Sequence, residues 1–249
     1  MSQPPRPDPW HGLRQLTAAR IGLGRAGDSL PTQALLDFGL AHAAARDAVH
    51  VPLDVPALMA ALAARGLATI EVGSQARDRS EYLRRPDLGR QLDEASREQL
   101  AARPERAGDC VLVLADGLSA RAVAEHGPAL LETLLPRLAG WSLPPVVIAR
   151  QARVALGDDI AEALGARQVV MLIGERPGLS SPDSLGAYLT QAPRRGCTDA
   201  ERNCLSNIRP AGLPPVEAAR RLAHLMGAAR ALGASGVQLK DDSGPARIA

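Results

Sequence analysis

Two short runs of uninterrupted apolar residues limit this chain more than any other feature. Cys110-Val-Leu-Val-Leu-Ala115 runs into Asp116-Gly117, and Val169-Val-Met-Leu-Ile173 runs into Gly174-Glu175-Arg176-Pro177-Gly178. Runs of this length without alternation suit strands buried on both faces, as in the middle of a parallel sheet. Helical and extended patterns alternate around them. A crossover helix is expected over 120–138, a strand over 146–149, a short helix over 158–164 and another helix around 183–189. A long amphipathic helix over 216–232 enters through Pro214-Pro215, and a last strand is expected over 236–239. This alternation predicts an α/β fold with a Rossmann-like parallel sheet in residues 106–249. Ligands of such sheets bind outside the carboxyl ends of the strands. Asp116, the stretch Arg150-Gln151-Ala152-Arg153-Val154 and the pair Glu175-Arg176 therefore stand on a ligand-facing rim.

Upstream the pattern changes. Residues 1–12 read as a flexible Pro-rich tail and 13–105 as a small all-helical domain with a charged connector. Leu35, Leu36, Phe38 and Leu40 form an apolar stripe on a helix entered at Pro31-Thr32, and a second helix is expected over 55–64 with Gly66 beyond its end. Gly22-Leu23-Gly24-Arg25-Ala26-Gly27 is a literal G-x-G-x-x-G with Asp47 twenty residues on. A dinucleotide fingerprint needs a strand before the glycines and a helix opening on them. Here Thr17–Ile21 reads as a helix end and Pro31 delays the next helix, so an interhelix turn is expected. The alternative is a stand-alone α/β nucleotide-binding enzyme using the Gly22–Gly27 loop. Residues 77–106 hold eight arginines and seven acids, the mark of a solvated connector with i,i+4 pairs, broken at Pro86. Within it Tyr82–Arg90 is a candidate partner-facing surface.

Composition excludes several functions. Aromatic residues make up 2% and the net charge is +2, which leaves neither stacking platforms for single-stranded nucleic acid nor an electrostatic footprint for a polyanion. Cys110, Cys197 and Cys204 lack disulfide or metal spacing and predict free thiols in a reducing compartment. The histidines are scattered, so no metal held by side chains is expected. No apolar run reaches the roughly 20 residues of a membrane-spanning helix. The expectation is a soluble cytoplasmic protein without membrane or nucleic-acid partners. Ser119 resembles a nucleophile elbow, but Arg121 stands where that motif needs glycine, so a helix N-cap is expected. The rim holds no nucleophile, base and oxyanion set of its own. It describes a ligand cradle.

Seven segments, in order over nearly the whole chain, resemble the small (light) subunit family of ethanolamine ammonia-lyase: Ala19–Gly27, Pro31–Leu36, Tyr82–Arg90, Asp116–Ser119, Gly174–Gly178, Cys204–Ile208 and Gly212–Ala219. The resemblance implies a helical N-terminal domain and a Rossmann-like C-terminal one. It implies a partner, the large subunit, whose TIM barrel binds ethanolamine and carries the catalytic residues, leaving none in this chain. The small subunit covers the barrel mouth and helps hold adenosylcobalamin, and three family contacts carry over onto Val154, Glu175 and Cys204. The family reaction is a carbon–nitrogen lyase reaction by a radical mechanism, releasing acetaldehyde and ammonia from ethanolamine. The D-x-H-x-x-G signature of domains that replace the cofactor's own base is missing, which agrees with base-on cobalamin. Family members housed in a bacterial microcompartment often carry a longer N-terminal extension than the dozen or so residues that precede the match here, so location in the cytoplasm or in such a compartment stays open.

Overall fold

The fold is described from a computed structural model over residues 9–17, 19–103 and 108–244. The helices are α1 (His11–Arg14), α2 (Thr32–His50), α3 (Val55–Ala63), α4 (Arg79–Arg84), α5 (Glu94–Ala101), α6 (Ala120–Leu134), α7 (Leu156–Leu164) and α8 (Pro215–Leu232). The strands are β1 (Thr69–Gly73), β2 (Cys110–Ala115), β3 (Val146–Arg150), β4 (Gln168–Gly174), β5 (Leu185–Gln191) and β6 (Arg202–Ile208). They form one sheet of order β1-β3-β2-β4-β5-β6.

The two apolar runs are the centre of that sheet. β2 and β4 pair in parallel from Cys110 opposite Gln168 to Ala115 opposite Ile173, and every residue of both strands is buried. β3 and β1 extend the parallel part on one side. On the other side the pattern departs from expectation. The residues expected as a helix around 183–189 form β5, which pairs antiparallel with β4 and with β6. The sheet is mixed, and the all-parallel Rossmann-like expectation is corrected to that extent. The physical reason lies in period-2 burial: Leu185, Ala187 and Leu189 all enter the core, and a strand beside β4 buries them together. A second correction falls in 13–105, which is not all-helical. Ile70 and Val72 alternate with polar neighbours in β1, which joins the sheet at its edge. A third concerns 236–239, where Gly236–Gln238 is a 3₁₀ turn in place of a strand.

Helices cover the sheet unequally. α3, α6 and α8 pack on one face over its apolar residues from β2 to β6. On the opposite face α5 and α7 cover β1, β3, β2 and β4. Over β5 and β6 that second face lies open: Tyr188 is half-buried, and Cys204 and Ser206 are exposed. The helix carrying the Leu35–Leu40 stripe forms as expected, yet Ala48 is its single buried residue. The Gly22–Gly27 segment is a turn. Gly22, Gly24 and Gly27 all have positive φ, Ala26 and Ser29 bond to each other through their backbones, and among the described residues no strand precedes it. Arg14 closes it by donating to the carbonyls of Ile21 and Gly22. The nucleotide-binding alternative lacks the strand it requires.

Candidate functional site

All four parallel strands end on one edge, and β6, antiparallel to β5, ends there too. Two acids, Asp116 buried and Glu175 half-buried, build the loops of that edge in the same manner. Asp116, at the end of β2, accepts hydrogen bonds from the backbone N–H groups of Gln151 (2.8 Å) and Ala152 (3.0 Å) and lies 3.6 Å from the Arg79 guanidinium. Gln151 has φ +53°, a left-handed conformation that a residue with a side chain holds only when its surroundings impose it. Burial pushes the Asp116 carboxyl up, and the two N–H groups and Arg79 pull against that. Asp116 thus faces inward and shapes the loop after β3.

Glu175 does the same for β6. Its Oε1 accepts from Ser206 Oγ (2.6 Å), and its Oε2 accepts from Ser184 Oγ (2.5 Å) and from the backbone N–H of Asn207 (3.1 Å). Asn207 has φ +58°. One carboxylate therefore fastens the ends of β4 and β6 and the start of β5. A carboxylate offers about four acceptor positions. Three are used within the chain, and the group lines an open cleft.

That cleft, of about 450 Å³, is lined by Tyr82, Gly117, Arg153, Val154, Glu175, Arg176, Tyr188 and Ser206 among others. Gly117 is there of necessity: a Cβ on it would sit 2.2 Å from the Gly174 carbonyl, and its φ is +53°. Ser119 is the N-cap expected, accepting from the Ala122 N–H, and its hydroxyl donates to the Pro182 carbonyl (2.8 Å). A second cleft of about 670 Å³ is lined by Arg90, Arg153, Val154, Asp158, Asp159, Arg195, Cys197 and Arg202. The two meet at Arg153 and Val154. Cys204 lines neither; on β6 it lies between Ser206 of the first cleft and Arg202 of the second, on the same face by strand alternation. It pairs with Tyr188 of β5. Burial pushes both the Cys204 thiol and the Tyr188 hydroxyl up. Val154, Glu175 and Cys204, dispersed over fifty residues, thus border one trough along the open face.

Sequence reasoning missed the residues that rigidify this trough. Tyr82 is fully buried, donates to the Ala152 carbonyl (2.9 Å), and has the Arg153 guanidinium 4.3 Å above its ring. Arg153 N–H donates to the Gly89 carbonyl (2.7 Å). The segment Tyr82–Arg90, a candidate partner-facing surface by sequence, backs the Arg153–Val154 corner through Tyr82 and Gly89 and leaves Arg84 to Asp87 exposed. Its uncommon aromatic amid arginines was the available signal. Far down the trough, Arg202 makes bidentate bonds of 2.8 and 2.6 Å to Asp158 and one of 2.8 Å to Thr190. Burial pushes Asp158 up while Arg202 holds it down. Arg176 is exposed at the cleft and forms no ion pair among the described residues.

Glu125, His126 and Asp183 form a cluster that the sequence did not reveal. Its carboxylates are already matched, Glu125 by Arg121 (2.6 Å) and Asp183 by Arg209 (3.6 Å) and His126 (3.2 Å), so its charge is balanced within the chain.

The family model described as ethanolamine ammonia-lyase light chain (EutC) matches residues 7–240. Relatives described as ethanolamine ammonia-lyase small subunit include one from Rhodopseudomonas palustris strain BisA53, 60% identical over 93% of this chain and 89% of its own length. Another, from Bradyrhizobium diazoefficiens strain USDA 110, is 58% identical over 98% of this chain and 95% of its own. A third, from Ralstonia nicotianae strain GMI1000, is 56% identical over 94% and 88%.

Proposed function

The chain belongs to the ethanolamine ammonia-lyase light-chain family, and on that premise we propose that it is the cofactor-holding small subunit of an adenosylcobalamin-dependent lyase complex. The observation that carries the proposal is the open β5–β6 face, where Val154, Glu175 and Cys204 border one trough beside a helix-covered half-sheet. The trough suits a broad ring edged with amides. It offers shape and dispersed polar groups, and needs no strong charge match. Glu175 keeps about one acceptor position for an amide N–H, Val154 gives an apolar corner, and Cys204 with Tyr188 gives a small polarisable floor. No histidine lines either cleft, which fits a cofactor that keeps its own base on cobalt.

When bound, adenosylcobalamin supplies the radical chemistry that converts ethanolamine to acetaldehyde and ammonia; the protein contributes position and exclusion of water. The residues here act by holding. Asp116 fixes the loop after β3, Glu175 fixes the ends of β4 and β6, and the Tyr82–Arg153 stack keeps the corner between the clefts rigid. The rim brings together no nucleophile, base and oxyanion donors in hydrogen-bond reach, so we assign catalytic residues to the large subunit. The test is co-purification with that subunit from the same organism, with acetaldehyde measured with and without adenosylcobalamin. Activity should require both chains and the cofactor. Turnover by this chain alone, or full turnover by the large subunit without it, would overturn the proposal.

A further inference from the structure

Among the described residues the large apolar side chains left exposed are unevenly placed. Nine of the thirteen, from Trp10 to Val51, lie in the first fifth of the chain. Four sit on the first half of α2: Leu35 is 56% exposed, Leu36 61%, Phe38 42% and Leu40 74%. The second half of α2, near Ala48, rests on the body of the protein, while the first half has no buried residue. An isolated helix of this length is marginal in water, and among the described residues none of the large apolar side chains on this half is buried. At roughly 100 Å² per partly exposed large side chain, the four on α2 present on the order of 400 Å² of apolar surface, the size of the largest patch on an ordinary monomer (~300–600 Å²), which is often a functional one.

The arrangement on the helix says what shape covers it. At 100° per residue, Leu36 and Leu40 stand within about 40° of each other, and Leu35 and Phe38 within about 60°, but the two pairs point about 150° apart. A second helix packs against a single stripe roughly 100° wide. A copy of this chain meeting α2 in a symmetric pair would therefore cover one stripe and leave the other in water. Covering both takes a concave apolar groove.

We infer that the first half of α2 is an arm that inserts into an apolar groove of the large subunit, touching it with both the Leu36–Leu40 stripe and the Leu35–Phe38 stripe. This rests on the proposed function above for the identity of the partner. No residue of α2 lines either cleft, so the arm anchors the chain without handling cofactor.

The test uses the full-length chain and the large subunit, with Leu36→Ala/Leu40→Ala and Leu35→Ala/Phe38→Ala as separate double variants. Alanine keeps helix propensity, and since these side chains are exposed, the circular dichroism spectrum and melting temperature of the free chain should match wild type. Each double variant should weaken association with the large subunit by about tenfold or more, as truncation of central apolar anchors does. Leu232→Ala, at an exposed apolar position on the last turn of α8 and outside both clefts, serves as the reference variant, with association kept. Loss from only one double variant means a one-sided contact and overturns the inference, as does no loss from either. A change confined to self-association of the free chain, read by analytical ultracentrifugation, assigns the arm to a second copy and overturns it too. Failure of the wild-type chain to bind the large subunit sinks the proposed function together with this inference, whereas wild-type binding with unaffected variants sinks this inference alone.

Discussion

Asp116 and Glu175 are both carboxylates at the ends of buried strands, and their neighbourhoods separate their roles. Asp116 is buried and its oxygens serve Gln151, Ala152 and Arg79. Asp116→Ala leaves two buried N–H groups and a guanidinium uncompensated, and should cost about 3–5 kcal/mol, read as a large drop in the denaturation midpoint of the free chain. Glu175 also makes three bonds, but two of them go to groups at an open face: Ser206 and Asn207 are exposed, while Ser184 is buried. In Glu175→Ala water replaces the acceptor for the exposed pair and only the Ser184 hydroxyl loses a partner, so stability should fall by about 1–2 kcal/mol. Affinity of the assembled complex for cobalamin should drop about tenfold, the order of one charge-assisted hydrogen bond. A cobalamin titration of that variant superimposable on wild type would remove Glu175 from the binding site. The sequence made both positions visible, since strand ends follow from the apolar runs. It did not show which acid faces inward, because that depends on Arg79 and the left-handed Gln151, which reach Asp116 only through the fold.

At the level of elements, the apolar runs of β2 and β4 and the glycine-bounded helices were legible because their burial is written in continuous or 3.6-residue patterns. β1 and β5 were not, since β1 is short and half-polar, β5 mixes small and polar residues, and each owes its state to the strand beside it. Thr69-Ile-Glu-Val-Gly and Leu185-Gly-Ala-Tyr-Leu carry period-2 alternation, a signal easily masked when a strand holds only two or three inward residues. β6, an edge strand, is fastened to α7 by the Arg202–Asp158 pair, whose side chains are almost wholly buried. Arg202→Met strands the Asp158 carboxylate and should cost about 3–5 kcal/mol; adding Asp158→Leu should recover most of it. A double variant no better than the single would mean that the pair is not what holds β6. α8 begins with a different device. Glu217 in its first turn accepts from both Arg220 and Arg221, and these bonds hold its carboxyl, ordinarily near 4.5, down to about 2. A lowered folded-state value means stability present above pH 4.5 that is lost as the pH falls toward 2. Glu217→Gln should flatten the fall of melting temperature over that window and lower the neutral-pH value by the amount the wild type loses on acidification, an amount that solvent screening of these surface pairs keeps small. An unchanged slope would place the acid sensitivity elsewhere.

Taken whole, the molecule is a sheet covered fully on one face and for two thirds of the other, with an apolar arm held away from both. Each unfinished surface asks for something outside the chain, and the open β5–β6 face can be followed through its cysteine. Cys204 is the exposed thiol, Cys197 lies half-buried in the neighbouring cleft and Cys110 is fully enclosed. Burial beside Tyr188 pushes the Cys204 thiol up, so labelling with a maleimide should be slow at pH 7 and quicken as the pH rises and thiolate forms. In the free chain at pH 8.5, Cys204 should be the most readily labelled site and Cys110 unreactive under native conditions. On the proposed reading the large subunit alone should shelter the face in part, and cobalamin should close the trough over Cys204. Its labelling rate should therefore fall stepwise, by about tenfold or more in the cobalamin-loaded complex, with peptide mass spectrometry assigning the modified residue. Cysteine access falls with the population of open states, so a rate unchanged by cobalamin would mean that the cofactor does not seat on β6. Protection by the large subunit without any further effect of cobalamin would recast the trough as a contact between chains, with the cofactor held elsewhere.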